Sequence, residues 1–138
     1  MVSLKVRIIA PVSHSNLHWW TMRASQATRV VRRALIWCEV SSRSNAECGP
    51  GSQLTAIEWP GEFLPHQRAR MLFTQAAVDV QLSLQRALAS TLDVETFVRH
   101  ADQAHCHILL GEEFAGANRC NDAWACASQA LAELEEVS

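Results

Sequence analysis

Apolar side chains between residues 65 and 90 recur every three or four positions, and no Gly or Pro interrupts them after Pro65, so this stretch reads as one long helix. Pro65 stands where a helix favours a first-turn proline. Two shorter periodic stretches follow. One runs from Asp93, a candidate N-cap, to about residue 110, with Leu92 and Phe97 at staple positions and Gly111 as the stop signal. The other runs from Asn121, a further candidate cap, to about residue 136, after a turn containing Gly116 and Asn118. The fold expected is all-α: a three-helix C-terminal unit built on one long helix, preceded by an N-terminal amphipathic helix and a long loop.

The shorter helices each carry a single apolar stripe. It comprises Val94, Phe97, Val98, Ala101, Ala104, Ile108 and Leu109 on the first, and Trp124, Ala127, Ala130, Leu131 and Leu134 on the second. The long helix carries two. Its main stripe is Leu72, Phe73, Ala76, Ala77, Val80, Leu84, Ala87 and Leu88. Nearly opposite lie Met71, Val78, Leu82 and Ala89. Polar positions part the two stripes: Arg68, Gln75, Asp79 and Arg86 on one side, Thr74, Gln81 and Gln85 on the other. A helix with two apolar faces needs two neighbours. At about 1.5 Å per residue the long helix also overhangs its shorter partners.

The second stripe follows alternating steps of four and three, through Met71, Gln75, Val78, Leu82, Gln85 and Ala89, as a coiled-coil seam does. Its members pair off at equal distances from Val80: Met71 with Ala89, Gln75 with Gln85, Val78 with Leu82. An antiparallel second copy would be self-complementary there, as a two-fold interface must be. Three coverings are open at this point: a second copy, the N-terminal helix of the same chain, or a different protein.

The first 64 residues are more heterogeneous. Residues 4–10 could form a short strand. Residues 17–38 read as an amphipathic helix burying Trp20, Ala24, Ala27, Val31, Ala34, Leu35 and Cys38, with Arg29, Arg32 and Arg33 fanned over its other side. From Ser41 to Pro60, turn and breaker signals dominate. Domains are therefore expected at 1–64, a basic arm, and 65–138, an acidic helical unit. Four of the five tryptophans fall before residue 60, outside a regular period. They read as anchors that insert elsewhere, or as a sign that translation starts later, for instance at Met71.

Charge sharpens the division. The net charge of −2 conceals nine Lys/Arg against four Glu in residues 1–70, and three Arg against ten Asp/Glu in residues 71–138. Mutual attraction of the halves is the simpler reading. The alternative is that each half meets its own partner. With 49% hydrophobic and 19% charged residues, wholesale disorder is not expected. No apolar run approaches the ~20 residues of a membrane span, and none suits a signal-peptide core. Five cysteines, odd in number and irregular in spacing, fit reduced thiols and a cytoplasmic location.

Chemistry is thin. His100, Asp102, His105, Cys106 and His107 resemble a metal box only until helix geometry is applied, because His105 and His107 point about 200° apart. The histidines near Cys106 lie on other faces of the helix, and Asp102, which is correctly spaced with Cys106, makes a poor zinc pair with it. Glu112 with Glu113 and Glu135 with Glu136 diverge on a helix. The glycines at 49 and 51 follow no strand and precede no Lys-Ser/Thr. No catalytic, cofactor or metal residues are expected, so the chain reads as non-enzymatic. The expected function is protein–protein interaction, as a dimeric regulator occupying a partner's surface in the manner of an inhibitor, antitoxin or anti-activator. The alternative is a nucleic-acid accessory protein using Arg29, Arg32 and Arg33 on phosphates.

Overall fold

The computed structural model describes the backbone of residues 2–48 and 64–137 and the side chains of residues 19–44 and 64–137. Among these residues there are four helices and no strand: α1 (Val2–Cys48), α2 (Pro65–Leu88), α3 (Glu95–Gly116) and α4 (Cys120–Glu135). Each helix packs on two neighbours, in the cyclic order α1, α2, α3, α4, and α1 and α3 barely meet across the centre. Cross-helix bonds fix the directions. Arg23 reaches Asp79 while Arg68 lies over Trp37, so α1 and α2 are antiparallel. Arg32 meets Glu135 while Ser42 meets Asn121, so α1 and α4 are antiparallel too. The result is an up-down-up-down four-helix bundle.

The core is assembled mostly from small side chains. Ala24, Ala27, Val31 and Ala34 of α1 meet Ala69, Phe73, Ala76 and Val80 of α2, Ala104 and Ile108 of α3, and Ala127, Ala130 and Leu134 of α4. Alanine lets helix backbones approach closely, and the few large residues fill what remains. Trp20 and Phe73 are both 0% exposed. Trp20 closes one end of the bundle against the Phe97 ring, 6.0 Å away between centroids.

α1 is an integral wall of the bundle. It supplies core to the same cluster as residues 65–137. It also joins the basic and acidic halves through Arg23–Asp79 at 3.1 Å and Arg32–Glu135 at 3.0 Å.

Several element boundaries differ from those the sequence suggests. α1 includes residues 4–10, so no strand forms there. A lone strand would have left its backbone groups without partners, whereas a helix satisfies its own. α1 also continues past residue 38 to Cys48. Its serines there are bound to the neighbouring α4 and the turn before it instead of bending the chain: Ser41 Oγ donates to Asn118 Oδ1 (3.3 Å) and Ser42 Oγ to Asn121 Oδ1 (2.9 Å). The remainder of the expected loop, residues 49–60, lies outside the described residues.

α2 begins at Pro65 as expected, and Gln67 Oε1 accepts the Leu64 backbone N–H at 2.9 Å. α3 begins at Glu95, with Asp93 Oδ1 accepting the Glu95 N–H (3.2 Å), so Asp93 shapes the approach and Val94 holds the cap position. α3 runs through Gly111 to Gly116. Gly111 is a packing residue, because a Cβ there would stand 2.5 Å from Phe73 Cε1. Its place is dictated by the close approach of α2 and α3. The following turn is made by Asn118, at φ 59°, and α4 starts at Cys120.

Candidate functional site

The outer face of α2 follows from how its flanks are used. α1 settles on the polar seam between the two stripes and does not reach the second stripe. Asp79, 5% exposed, is the acid of that seam. Its Oδ1 accepts from Arg23 Nη1. Arg86 stacks on Trp19 at 4.7 Å, Arg23 lies over the same ring at 5.3 Å, and Arg68 covers Trp37 at 5.2 Å. The α1 tryptophans are thus platforms for arginines, which offer apolar stems and a face-stacking guanidinium. On the opposite flank α3 takes the contacts. Thr74 Oγ1 donates to Glu112 Oε2, and His66 Nδ1 meets the Ala115 carbonyl (3.1 Å).

With both flanks occupied, the remaining face points outward. Met71 is 51%, Val78 51% and Leu82 37% exposed, and Gln75, Gln85 and Ala89 are exposed beside them. All six expected interface residues therefore share one exposed face, which the described side chains of α1 leave uncovered. Along half of this face lies a concavity of about 430 Å³ lined, among the described residues, by Gln67, Arg70, Met71, Thr74, Gln75 and Val78.

Three residues placed in the core by periodicity belong to the surface. Leu88 is 65%, Leu109 42% and Trp124 41% exposed. Each sits about 100° or more from the centre of its helix's buried stripe. Trp124 faces α1, where its indole N–H donates to Glu39 Oε1 at 3.1 Å. The Thr74–Glu112 bond sets the register of α2 against α3, so Leu109, one turn before Glu112, stands level with Val78, one turn after Thr74.

The candidate arginines Arg29, Arg32 and Arg33 are not placed alike. Arg32 is drawn sideways to Glu135, while Arg29 and Arg33 stay exposed on the outer side. Among the described residues no three His, Cys, Asp or Glu side chains converge closely enough to hold a metal ion. Of the histidine cluster, His100 is engaged, its Nδ1 lying 2.7 Å from Glu133 Oε1. No described helix is long and apolar enough to cross a membrane.

Sequence reading missed one grouping. Cys38, Cys120 and Cys126 come from distant positions to the α1–α4 seam and are all buried. Cys38 and Cys120 floor a cleft of about 360 Å³ rimmed by Glu39, Ser42, Arg43, Asn121 and Trp124. Burial pushes the Cys38 thiol up from 9.0 to about 12, with Cys120, Cys126 and Glu39 adding to the effect. Cys120 is raised by burial against a hydrogen bond from Ser41, and Cys126 by burial and Asp122. Such thiols are protonated and poor nucleophiles at neutral pH.

They also set an alkaline limit. A folded thiol above its unfolded value holds its proton where the unfolded chain has released it. Stability is therefore fully present below about pH 9 and is lost as pH rises towards 12. The chain has no Tyr and a single Lys, so apart from the cysteines, Cys120 and Cys126 among them, little titrates there. Urea midpoints measured from pH 8 to 11 should fall steadily, and Cys38→Ala should flatten the decline. An unchanged slope in that variant would contradict the assignment.

Searches against protein-family models, curated proteins and solved structures return no match.

Proposed function

We propose that the protein is a helical interaction module that acts by occupying a protein surface with the outer face of α2, as small inhibitors, antitoxins and anti-activators do. The observation that supports this most directly is the exposed apolar row Met71, Val78 and Leu82, with its glutamines, on a helix whose two flanks are already engaged. Single exposed apolar residues are ordinary on any protein. A seam at coiled-coil spacing, kept clear by a second helix that binds polar residues beside it, is a different pattern.

The test is Val78→Glu with Leu82→Glu. Both positions face solvent in the free chain, so the variant should keep its helical spectrum and lose no more than about 1 kcal/mol of stability. Affinity capture from cells that make the protein should recover a bound protein with the native chain and lose it with the double variant. Equal recovery with both chains would remove the face from the account. Loss of helicity would mean that the row is core.

A further inference from the structure

We infer that the occupant of the α2 face is a second copy of this chain, lying antiparallel with the two-fold axis level with Val80. This rests on the reading of that face as a docking surface and names its partner.

Hydrogen-bond complementarity is the first support. Gln75 and Gln85 lie within the row, and each side-chain amide carries both a donor and an acceptor. An apolar partner would desolvate them without replacement, at a cost for each. A second copy centred on Val80 sets Gln75 of one chain against Gln85 of the other, twice over. Amide then meets amide at both positions. Shape follows the same symmetry, with Val78 facing Leu82 and the long Met71 facing the small Ala89.

Charge is the second support. Arg68 and Arg86, on one edge of the face, are held aside by Trp37 and Trp19, while Arg70 lines its other edge. In this register Arg86 stands opposite Thr74 of the other copy, and Arg68 and Arg70 fall level with the turn that follows the other copy's α2, so no two arginines confront each other. Asp79, the acid of α2, is already committed to Arg23.

Extent is the third. Three half-exposed side chains fall short of the ~800 Å² per partner of a stable interface. Like flanks meet in the two-fold arrangement, so α1 and α3 of each copy stand at the rim beside α1 and α3 of the other, where the exposed Leu88 and Leu109 extend the apolar area.

The register is tested by cross-linking in a Cys48→Ser, Cys106→Ser background, which removes the exposed Cys106 thiol and the cysteine outside the described side chains. One chain carries Gln75→Cys and another Gln85→Cys, both at exposed positions. Mild oxidation by molecular oxygen with a copper catalyst removes two electrons and two protons from a thiol pair and forms one disulfide. Mixed chains should give a covalent dimer whose peptide map joins positions 75 and 85, at least several-fold more than either chain alone. Equal or greater linkage of a single variant to itself would overturn the antiparallel register. No linkage in any sample, with native chains sedimenting as monomers, would overturn the second copy. If Val78→Glu with Leu82→Glu still abolished capture of another protein, the docking face would stand with a different occupant; if capture too were unaffected, both would fall.

Discussion

Gly111→Val should unfold the bundle or bring it close to unfolding. A Cβ at this position would lie 2.5, 2.8 and 2.9 Å from three atoms of the Phe73 ring, well inside contact distance. The ring is fully buried, so it has no free space to swing into. Relief requires α2 and α3 to part, which loosens the alanine-rich packing on either side. Overpacking costs about 1–3 kcal/mol in ordinary cores, and a branched side chain at a helix–helix contact belongs at or above the upper end. That is a large part of the stability of a domain this size. Gly111→Ala should lose less, because helix propensity returns about 1 kcal/mol. Urea denaturation followed by circular dichroism measures both. Phe73→Leu should recover part of the Gly111→Ala loss by making room for the new methyl. A Gly111→Ala protein more stable than the parent by that full kilocalorie would mean that α2 and α3 do not approach so closely.

Arg23→Met should cost about 3 kcal/mol, the order expected when one partner of a buried ion pair is removed. Asp79 is 5% exposed, and its Oδ2 already has no hydrogen-bond partner, so Arg23 is what compensates its charge. Arg23 is itself about one-third exposed at the α1–α2 seam, and water entering there would soften the loss. Asp79→Leu alone should cost less, because the freed arginine can turn to solvent and keep its place over Trp19. The double variant should recover most of the stability, since an apolar pair of similar volume removes both desolvation penalties. Denaturation of the two single variants and the double measures the coupling. Additive losses would show that the pair does not hold α1 in place.

Much of the bundle was legible because its core obeys simple periodicity. Trp20, Ala24, Ala27, Val31, Ala34 and Cys38 are all buried on α1, at the positions a 100° step assigns. The parts that were not legible depend on the neighbouring helix. Gly111 resembles a helix terminator in its local sequence, and only the Phe73 ring across the interface explains it. Asp79 resembles a surface acid until Arg23, 56 residues earlier, is placed beside it. Trp19 and Trp37 break the apolar period because their work is to carry arginines at a seam. The thiols at the α1–α4 seam come from positions 38, 120 and 126, and no local spacing could have joined them.

The candidate face was legible for the opposite reason. Its residues lie on one helix, so the spacing of Met71, Gln75, Val78, Leu82, Gln85 and Ala89 alone places them on one side. What the sequence left open was the role of α1, the most obvious cover. The answer lies in the polar seam: α1 carries Arg23 and two tryptophans suited to Asp79, Arg86 and Arg68, and docks there. The buried apolar face of α1, from Trp20 to Cys38, is used on the common core and not on the second stripe.

Sedimentation equilibrium of the native chain at micromolar concentration, beside Val78→Glu with Leu82→Glu, bears most directly on that face. The native chain should have twice the 15.3 kDa chain mass and the double variant the mass of one chain, with the helical spectra of the two superimposable. A native chain that stays at 15.3 kDa at every concentration, or a double variant that remains dimeric, would contradict a two-fold interface on α2.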